Sequence, residues 1–347
     1  MTNGARSAKG RQPTWIDPFR LVAAVLVVAV HTYPFETISP ELNLMVIHVF
    51  ARIAVPFFLM ATGYFLLPRY LMKKDADTAP LFGFIKKTAV IYALASVLYL
   101  PISIYAGHYA GGRVFTTLIR NIVFDGMFYH LWYLPAVIIG VLIVYFAGRK
   151  FPIRGVFYMA LALYFYGLFG DSYYGLISGM PFVGRVYSFG FHLYSFTRNG
   201  LFYAPIFLVM GAGIAVIKPR TNVRANVIRL VISLAFMLFE GYVLHHHGFP
   251  RHSSMYIALL PSMYFLFCLI VNIRGRSSAF LRSFSMWIFI IHPLFIIAVR
   301  GAARVLGLTA LLVQNTMVHF IAVAITSAVF SAMCAWYFVR RRERLRG

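Results

Sequence analysis

The sequence predicts an all-α, polytopic membrane protein, a helix bundle of about ten transmembrane helices. Hydrophobic residues make up 61% of its 347 residues, and charged residues only 12%. Apolar stretches of about 20 residues, the length that a helix needs to cross the hydrocarbon core, recur along the whole chain. No polar stretch between them is long enough to form a soluble domain, so we expect a single membrane domain.

Ten apolar segments are predicted to form the membrane helices. They are residues 16 to 35, 43 to 67, 81 to 106, 128 to 147, 154 to 170, 199 to 217, 227 to 246, 254 to 273, 283 to 300 and 313 to 339. The membrane domain therefore covers residues 16–339, with a disordered basic cytoplasmic tail over 1–15 and a short basic cytoplasmic tail over 340–347.

The basic residues are distributed in a way that predicts topology rather than nucleic-acid binding. The formal net charge is +23. We assign 23 of the 32 lysines and arginines to the side that is cytoplasmic if the N-terminus is, counting four at the inner ends of spans, seven to the opposite side, and Arg20 and Arg52 to neither side. This bias follows the positive-inside rule and, with an even number of spans, places both termini in the cytoplasm. The expected partner is a lipid bilayer, and no nucleic acid is expected.

The first span carries two ionisable residues that are costly in a membrane. His31 follows Arg20 by eleven positions, so both lie on nearly the same helix face, about 16 Å apart along the axis. His31 could be a base, a proton relay or a packing residue, and its cost within the bilayer favours a function. Glu36, just beyond the span, is the acid best placed to partner His31. Asp17 lies too far away, and we expect it to cap the helix or pair with Arg20.

A second set of basic residues accompanies the second span. Arg52 lies within it, four residues before Pro56, and a buried arginine needs a carboxylate, a carbonyl or an anionic ligand. Arg69, Lys73 and Lys74 follow the span. They could be ordinary topology signals or could hold the phosphates of a nucleotide-bearing donor, and charge alone favours the topology signal.

Polar residues also recur at similar depth near the outer ends of later spans. His130 and Trp132 open the fourth span, Arg198 and Asn199 open the sixth, and His292 lies within the ninth. A shared outward-facing cavity for a substrate would explain them, although Trp132 could be an aromatic anchor at the membrane interface. The long connection over 171–198 is expected to form an interfacial or re-entrant cap, or a plain surface loop.

Several common chemistries find no support in the sequence. His245, His246, His247 and His252 have no nearby acid, and consecutive histidines point in different directions, so we expect no metal site. The chain contains no GxSxG, Walker loop, HExxH or dinucleotide-binding GxGxxG motif. Hydrolase, ATPase and dehydrogenase functions are therefore not favoured.

Four segments resemble one family. WIDPFRLVAAVLVVAVHT, with a basic residue eleven positions before a histidine, resembles the first-helix motif of the acyltransferase-3 family of multipass membrane acyltransferases. RIAVPFFLMATGYFLLPR is similar to the family's second-helix segment, and FYHLWYL and SMWIFIIHPLF are similar to weaker recurrent patches. The family includes bacterial O-acetyltransferases of surface polysaccharides and lipid-linked sugars.

The resemblance implies an O-acyltransferase of a bacterial cell membrane. Such an enzyme would move an acetyl group from acetyl-CoA, a cosubstrate rather than a bound cofactor, to a hydroxyl of a carbohydrate or lipid-linked sugar. The resemblance implies that His31 is catalytic and that Arg20 and Arg52 hold acyl-CoA. Arg69 resembles the family's basic residue after the second helix, although Lys73 and Lys74 follow it instead of a second arginine three positions on.

A second resemblance gives a rival hypothesis. TRNGLFYAPIFL and other segments are similar to the membrane half of membrane-bound serine racemases. This resemblance implies a transporter of a small, serine-like amino acid, or a flippase of an acyl or sugar carrier, in which the same polar residues line a path. The lack of an internal sequence repeat counts modestly against transport.

Overall fold

The computed structural model describes residues 14–109, 114–219 and 222–344. These ranges are helical and contain no strand, apart from one isolated bridge between Thr14 and Arg274. Most of the tail predicted over 1–15 lies outside the described residues. Its last residue, Trp15, donates its backbone N–H to the carbonyls of Ile270 and Ile273.

The helices of the described ranges follow in this order. They are α1 (Ile16–Thr32), α2 (Pro40–Leu66), α3 (Pro68–Met72), α4 (Ala79–Tyr105), α5 (Val114–Arg120), α6 (Tyr133–Lys150), α7 (Ile153–Phe169), α8 (Pro181–Leu193), α9 (Ala204–Ile217), α10 (Val223–His246), α11 (Leu259–Asn272), α12 (Ala279–Val305) and α13 (Thr316–Arg344). A single α-turn lies at Tyr174–Ile177, and short π-helical segments lie at Asn121–Asp125 and Ala310–Gln314.

The helices agree with a multispanning membrane protein. A helix lies at each of the ten predicted spans. By length and composition, six helices of the described residues can cross a membrane, namely α2, α4, α6, α10, α12 and α13. Three shorter apolar helices, α7, α9 and α11, accompany them. The all-helical class is confirmed, whereas ten crossings and two cytoplasmic termini stay predictions.

Helices α6 and α9 begin later than predicted, and this leaves His130, Trp132 and Asn199 outside helices. The fourth span was expected from residue 128 and the sixth from 199, but α6 begins at Tyr133 and α9 at Ala204. The side chain of Asn199 closes the turn that leads into α9. Its Oδ1 accepts the backbone N–H groups of Leu201 and Phe202, as a residue that caps a helical turn does.

The connection over 171–198 and the C-terminal tail have more helix than predicted. The connection over 171–198 contains α8, whose Phe182 and Phe189 are exposed, in agreement with a segment at a membrane interface. At the other end of the chain, α13 continues to Arg344, so the described part of the predicted tail over 340–347 extends the helix.

The chain divides into two compact units, of which the first contains Met1–Asn43, Thr221–Val227 and Phe265–Gly347. In this unit α1 packs against α12 and α13. Their contact is an apolar cluster of small and branched side chains, comprising Ala24, Val28, Ile288, Ile296 and Val323. This packing places His31 of α1 beside α12.

The second unit contains Leu44–Arg220 and Ile228–Tyr264, and α9 lies at its centre. Helix α9 is buried along most of its length against α2, α6 and α7. Gly63 of α2 and Gly211 of α9 let the two backbones approach closely. A Cβ atom on Gly63 would overlap the carbonyl of Leu208, and one on Gly211 would overlap the carbonyl of Met60.

Helix α2 is irregular before Pro56. Its first part is π-helical over Leu44–Val49 and 3-10 helical over Phe50–Ile53, and regular α-helix begins at Ala54. Proline has no N–H to donate to the carbonyl four residues earlier, which is that of Arg52, and its ring crowds that turn. Arg52 therefore lies in the irregular turn rather than in a regular helix.

Candidate functional site

In the first unit, Asp17 organises the start of α1. Its carboxylate is buried, with 5% of the residue exposed. Arg20 donates from Nε to Oδ1 at 3.2 Å, and the backbone N–H of Ser278 donates to Oδ2 at 2.8 Å. Arg282 donates to the same Oδ2. The expected pairing of Asp17 with Arg20 is confirmed, and the pair ties α1 to the start of α12, where Ser278 caps the helix.

His31 lies against His292 of α12. The two imidazole rings are stacked, with centroids 5.2 Å apart and an angle of 24° between the planes. The sequence assigned His31 to catalysis and His292 to substrate binding. The structure brings these two residues together in one unit, on facing helices.

His292 has a defined proton position. Its Nδ1 lies 2.9 Å from the carbonyl oxygen of Ile288 and 3.1 Å from that of Phe289. Carbonyl oxygens only accept, so Nδ1 carries the hydrogen and Nε2 of the neutral ring does not. Pro293 follows and cannot donate to the carbonyl of Phe289. The Nδ1–H of His292 therefore binds the carbonyl oxygen that Pro293 leaves without a helical N–H donor. The same hydrogen bond fixes the tautomer of His292.

Glu36 is exposed just beyond α1 and accepts a hydrogen bond from Nδ2 of Asn43. The sequence prediction made Glu36 a partner of His31. The hydrogen bond that the structure gives for its carboxylate is the one with Asn43, and the catalytic role of Glu36 stays a prediction.

In the second unit, Arg198 lies in the turn before α9 and contacts two aromatic rings. Its guanidinium carbon is 4.7 Å from the ring centroid of Trp132 and 4.6 Å from that of Phe196. These are distances of cation–π contacts. Burial, followed by the positive charge of Arg52, lowers the pKa of Arg198 to about 10, so the side chain keeps its charge at neutral pH.

Asn199 shapes this turn. Besides accepting the two N–H groups described above, it donates from Nδ2 to the carbonyl of Phe196 at 2.9 Å, and it is fully buried. The preceding Thr197 donates from Oγ1 to the carbonyl of Gly167 at 2.7 Å. These bonds hold the backbone on both sides of Arg198. Asn199 therefore positions Arg198.

His48 and Tyr256 surround the irregular turn of Arg52. The carbonyl oxygen of His48 accepts from Nε of Arg52 at 3.3 Å and from the hydroxyl of Tyr256 at 2.9 Å. The ring of His48 lies edge-on to that of His245, with centroids 6.1 Å apart. The sequence prediction missed His48, although it precedes Arg52 by one helical turn.

His252 and Asp171 complete this group, and the sequence did not identify either as a site residue. Asp171 is fully buried and accepts the backbone N–H groups of Ser254 and Met255. His252 Nδ1 lies 3.5 Å from Asp171 Oδ2. Burial and the charge of Arg198 lower the pKa of His252 to about 4, against the opposing effect of Asp171, so His252 is neutral at pH 7.

The other predicted site residues of this unit lie in different surroundings. His130 is buried and packs edge-on to Tyr99, with ring centroids 4.9 Å apart. Arg69, Lys73 and Lys74 lie in and after α3 and are exposed, as phosphate-binding or topology residues would be. Arg52 and Arg198, which the sequence assigned to donor and acceptor respectively, act on each other electrostatically in one group.

The polar groups described above can hold anions and transfer protons. The described residues contain no cluster of histidine, cysteine, aspartate or glutamate arranged to hold a metal ion. Apolar helices long enough to cross a membrane, together with partly buried histidines and arginines, define an integral membrane protein with internal polar sites.

Comparison with known families assigns this membrane protein more closely. Residues 14–336 match the acyltransferase domain named Acyl_transf_3, so the chain belongs to that family. The match covers α1 to nearly the end of α13 and includes both groups of polar residues. No solved structure matches the chain.

Curated relatives carry a different name. The chain is 39% identical over 331 residues to an amino-acid racemase of Enterococcus faecalis, covering 94% of this chain and 45% of that protein. It is 32% identical over 330 residues to a serine/alanine racemase of Enterococcus gallinarum, covering 94% of this chain and 46% of that protein. The chain thus spans about half the length of the curated relatives it matches.

Proposed function

We propose that this protein is a membrane O-acyltransferase. It would move an acetyl group from acetyl-CoA to a hydroxyl of a surface polysaccharide or lipid-linked sugar in a bacterial cell membrane. Membership of the acyltransferase family supports acyl transfer. The observation that carries the assignment of the base is the stacked pair of His31 and His292, in which the proton position of His292 is defined.

In the proposed reaction His31 acts as the general base. Its imidazole takes the proton of the acceptor hydroxyl, and the oxygen forms a bond to the thioester carbonyl carbon. The carbon–sulfur bond then breaks, and the departing thiolate of CoA takes the proton from His31. The products are the acetyl ester and CoA, and the enzyme returns to its starting protonation state.

Basic and polar residues would bind the two substrates. Arg20 and Arg52, with the exposed Arg69, Lys73 and Lys74, would attract the phosphates of acetyl-CoA. The residues expected to bind the acceptor are His130, Trp132, Arg198, Asn199 and His292. For Asn199 the bonds within its turn support an indirect contribution through Arg198.

Membrane vesicles test this proposal directly. Inverted vesicles from a bacterial host that expresses the full chain are supplied with [14C]acetyl-CoA, and label is counted in the lipid and glycan fractions. We expect His31→Ala to lower incorporation by about 100-fold, the size of a lost general base. His246→Ala removes an exposed histidine and should leave incorporation unchanged. Equal incorporation by wild type and His31→Ala would contradict the assignment of the base.

Transport of a small amino acid is the second candidate. The names of the curated relatives, amino-acid racemase and serine/alanine racemase, favour it. Counterflow of labelled serine into proteoliposomes that contain the purified chain and no CoA would support transport. CoA-dependent acetyl incorporation without counterflow would support acyl transfer.

A further inference from the structure

We propose that Arg52 and Arg198 form a binding site for one oxyanion, a carboxylate or a phosphate, that a substrate carries. The site lies wholly within the second unit and is bordered by Trp132, Phe196 and His252. The proposal requires that at least one bound substrate carries an acidic group.

Unbalanced charge is the first argument. Among the residues that the structure describes, no carboxylate lies within ion-pair distance of Arg52 or Arg198. The charges of Asp171 and Asp125 act on Arg198 from beyond ion-pair distance. Asp171 accepts two backbone N–H groups at Oδ1, and Asp125 pairs with Arg120 at 3.2 Å. The charge of Arg52 also acts on Arg198, and this repulsion in a poorly solvated region would be reduced by an anion that contacts both side chains.

An unsatisfied donor is the second argument. Nε of Arg198 is buried and has no hydrogen-bond partner within the described part of the chain. A buried N–H without an acceptor is destabilising, and more so when the group is charged. An oxyanion could accept from this group, because guanidinium and carboxylate or phosphate have matching geometry.

The rigidity of Arg198 is the third argument. The rings of Trp132 and Phe196 contact its guanidinium, and the bonds of Thr197 and Asn199 fix the backbone on either side. Phe196 is itself packed against the ring of His252, with centroids 4.8 Å apart. The guanidinium is planar, and contacts to its π-face restrict the orientation of that plane, so the N–H groups at its edge can bind an oxyanion at two points.

The occupant depends on the proposed function, whereas the site itself does not. If the protein transfers acetyl groups, the oxyanion belongs to an acidic acceptor or to the phosphates of CoA. If it transports an amino acid, the oxyanion is the carboxylate of that amino acid. Binding can be measured without turnover, so the two proposals can fail separately.

Trp132 can report on binding because it contacts Arg198. A full-length variant with Trp15→Phe, Trp287→Phe and Trp336→Phe keeps Trp132 as its sole tryptophan. This variant, purified in detergent, is titrated at constant ionic strength with sodium phosphate, sodium succinate, L-serine and CoA, with sodium chloride as the reference salt. We expect a saturable change in Trp132 fluorescence with at least one oxyanion and none with chloride.

Substitutions of the two arginines in the variant with Trp132 as its sole tryptophan test whether Arg52 and Arg198 bind the anion. Arg52→Gln and Arg198→Gln should each weaken binding at least tenfold, which is about 1.4 kcal/mol. Arg198→Lys keeps the charge but loses the planar donors, so it should weaken binding less than Arg198→Gln. Arg185→Gln, which removes an exposed arginine of α8, should not change binding. If a glutamine variant is not monodisperse, the lysine variant at that position decides.

The ligand series identifies the source of the anion. Tighter binding of succinate or serine indicates a carboxylate, and tighter binding of phosphate or CoA indicates a phosphate. Full affinity in either folded arginine variant, or no saturable response to any of the four ligands, would overturn the site. If His31→Ala retains acetyl transfer while the arginine variants lose anion binding, the proposed base fails and the site stands.

Discussion

His292 shows how one side chain can serve both the helix and the site. Its Nδ1–H binds the carbonyl that Pro293 cannot satisfy, so the ring is held where it stacks on His31. Because Nδ1 is engaged with the backbone, the ring can exchange a proton with its surroundings only through Nε2. His292 is therefore suited to position His31.

Substitution of His292 should separate positioning from binding. We expect His292→Ala to lower kcat for acetyl transfer about tenfold or more with little change in the KM for acetyl-CoA, because the stack orients the base rather than the donor. His292→Asn keeps an N–H that can bond the same carbonyls and should retain the folded yield. An unchanged kcat with a raised KM would instead assign His292 to substrate binding alone.

His252 should make stability depend on pH. Its pKa is lowered from 6.5 to about 4 in the folded chain by burial and by Arg198 and Arg52, with Asp171 opposing. Between pH 6.5 and 4 the unfolded chain therefore binds a proton that the folded chain does not, so stability falls as pH falls through this window. The loss between pH 7 and 5 should be about 2 kcal/mol.

Chemical unfolding in detergent at pH 7, 6 and 5 measures this effect. The relevant quantity is the difference in pH dependence between wild type and His252→Gln, because groups remote from His252 titrate alike in both proteins. His247→Gln, an exposed substitution, should behave as wild type. The same pH dependence in wild type and His252→Gln would show that protonation of His252 is not coupled to folding.

At the scale of elements, the crossing of α2 and α9 depends on glycine. Met60 and Gly63 of α2 face Leu208 and Gly211 of α9 so closely that a methyl group on either glycine would meet a backbone carbonyl. Backbone atoms cannot move aside as a flexible side chain can. Small residues at such crossings allow close van der Waals packing in membranes, where lipid removes the hydrophobic drive for association.

Two glycines of α9 provide a matched pair of substitutions. Gly211→Ala should lower the free energy of unfolding by about 2 kcal/mol, because the helices must separate to admit the methyl group. Gly213, two residues later, has open space where its Cβ would lie, so Gly213→Ala should leave stability unchanged or slightly higher. Unfolding midpoints in detergent compare the two, and equal midpoints would contradict tight packing at Gly211.

For the whole molecule, the sequence predicted those features that depend on residues close together in the chain. Apolar runs located the helices, and the spacing of three residues allowed Asp17 to be paired with Arg20. The neighbourhood of Arg52 and Arg198 was not predicted, because 146 positions separate the two residues and only the packing around α9 brings their charges together.

Topology is the property of the whole chain that follows most directly from its charge. Of the 32 lysines and arginines, we assign 23 to the predicted cytoplasmic side. Moving several of these across a membrane during insertion is unfavourable, so both termini should stay inside. Alkaline phosphatase, which is active only outside the cytoplasm, should be inactive when fused after residue 344 and active when fused after residue 180. Immunoblots control for the amount of each fusion, and an active fusion at the C-terminus would contradict the predicted cytoplasmic C-terminus.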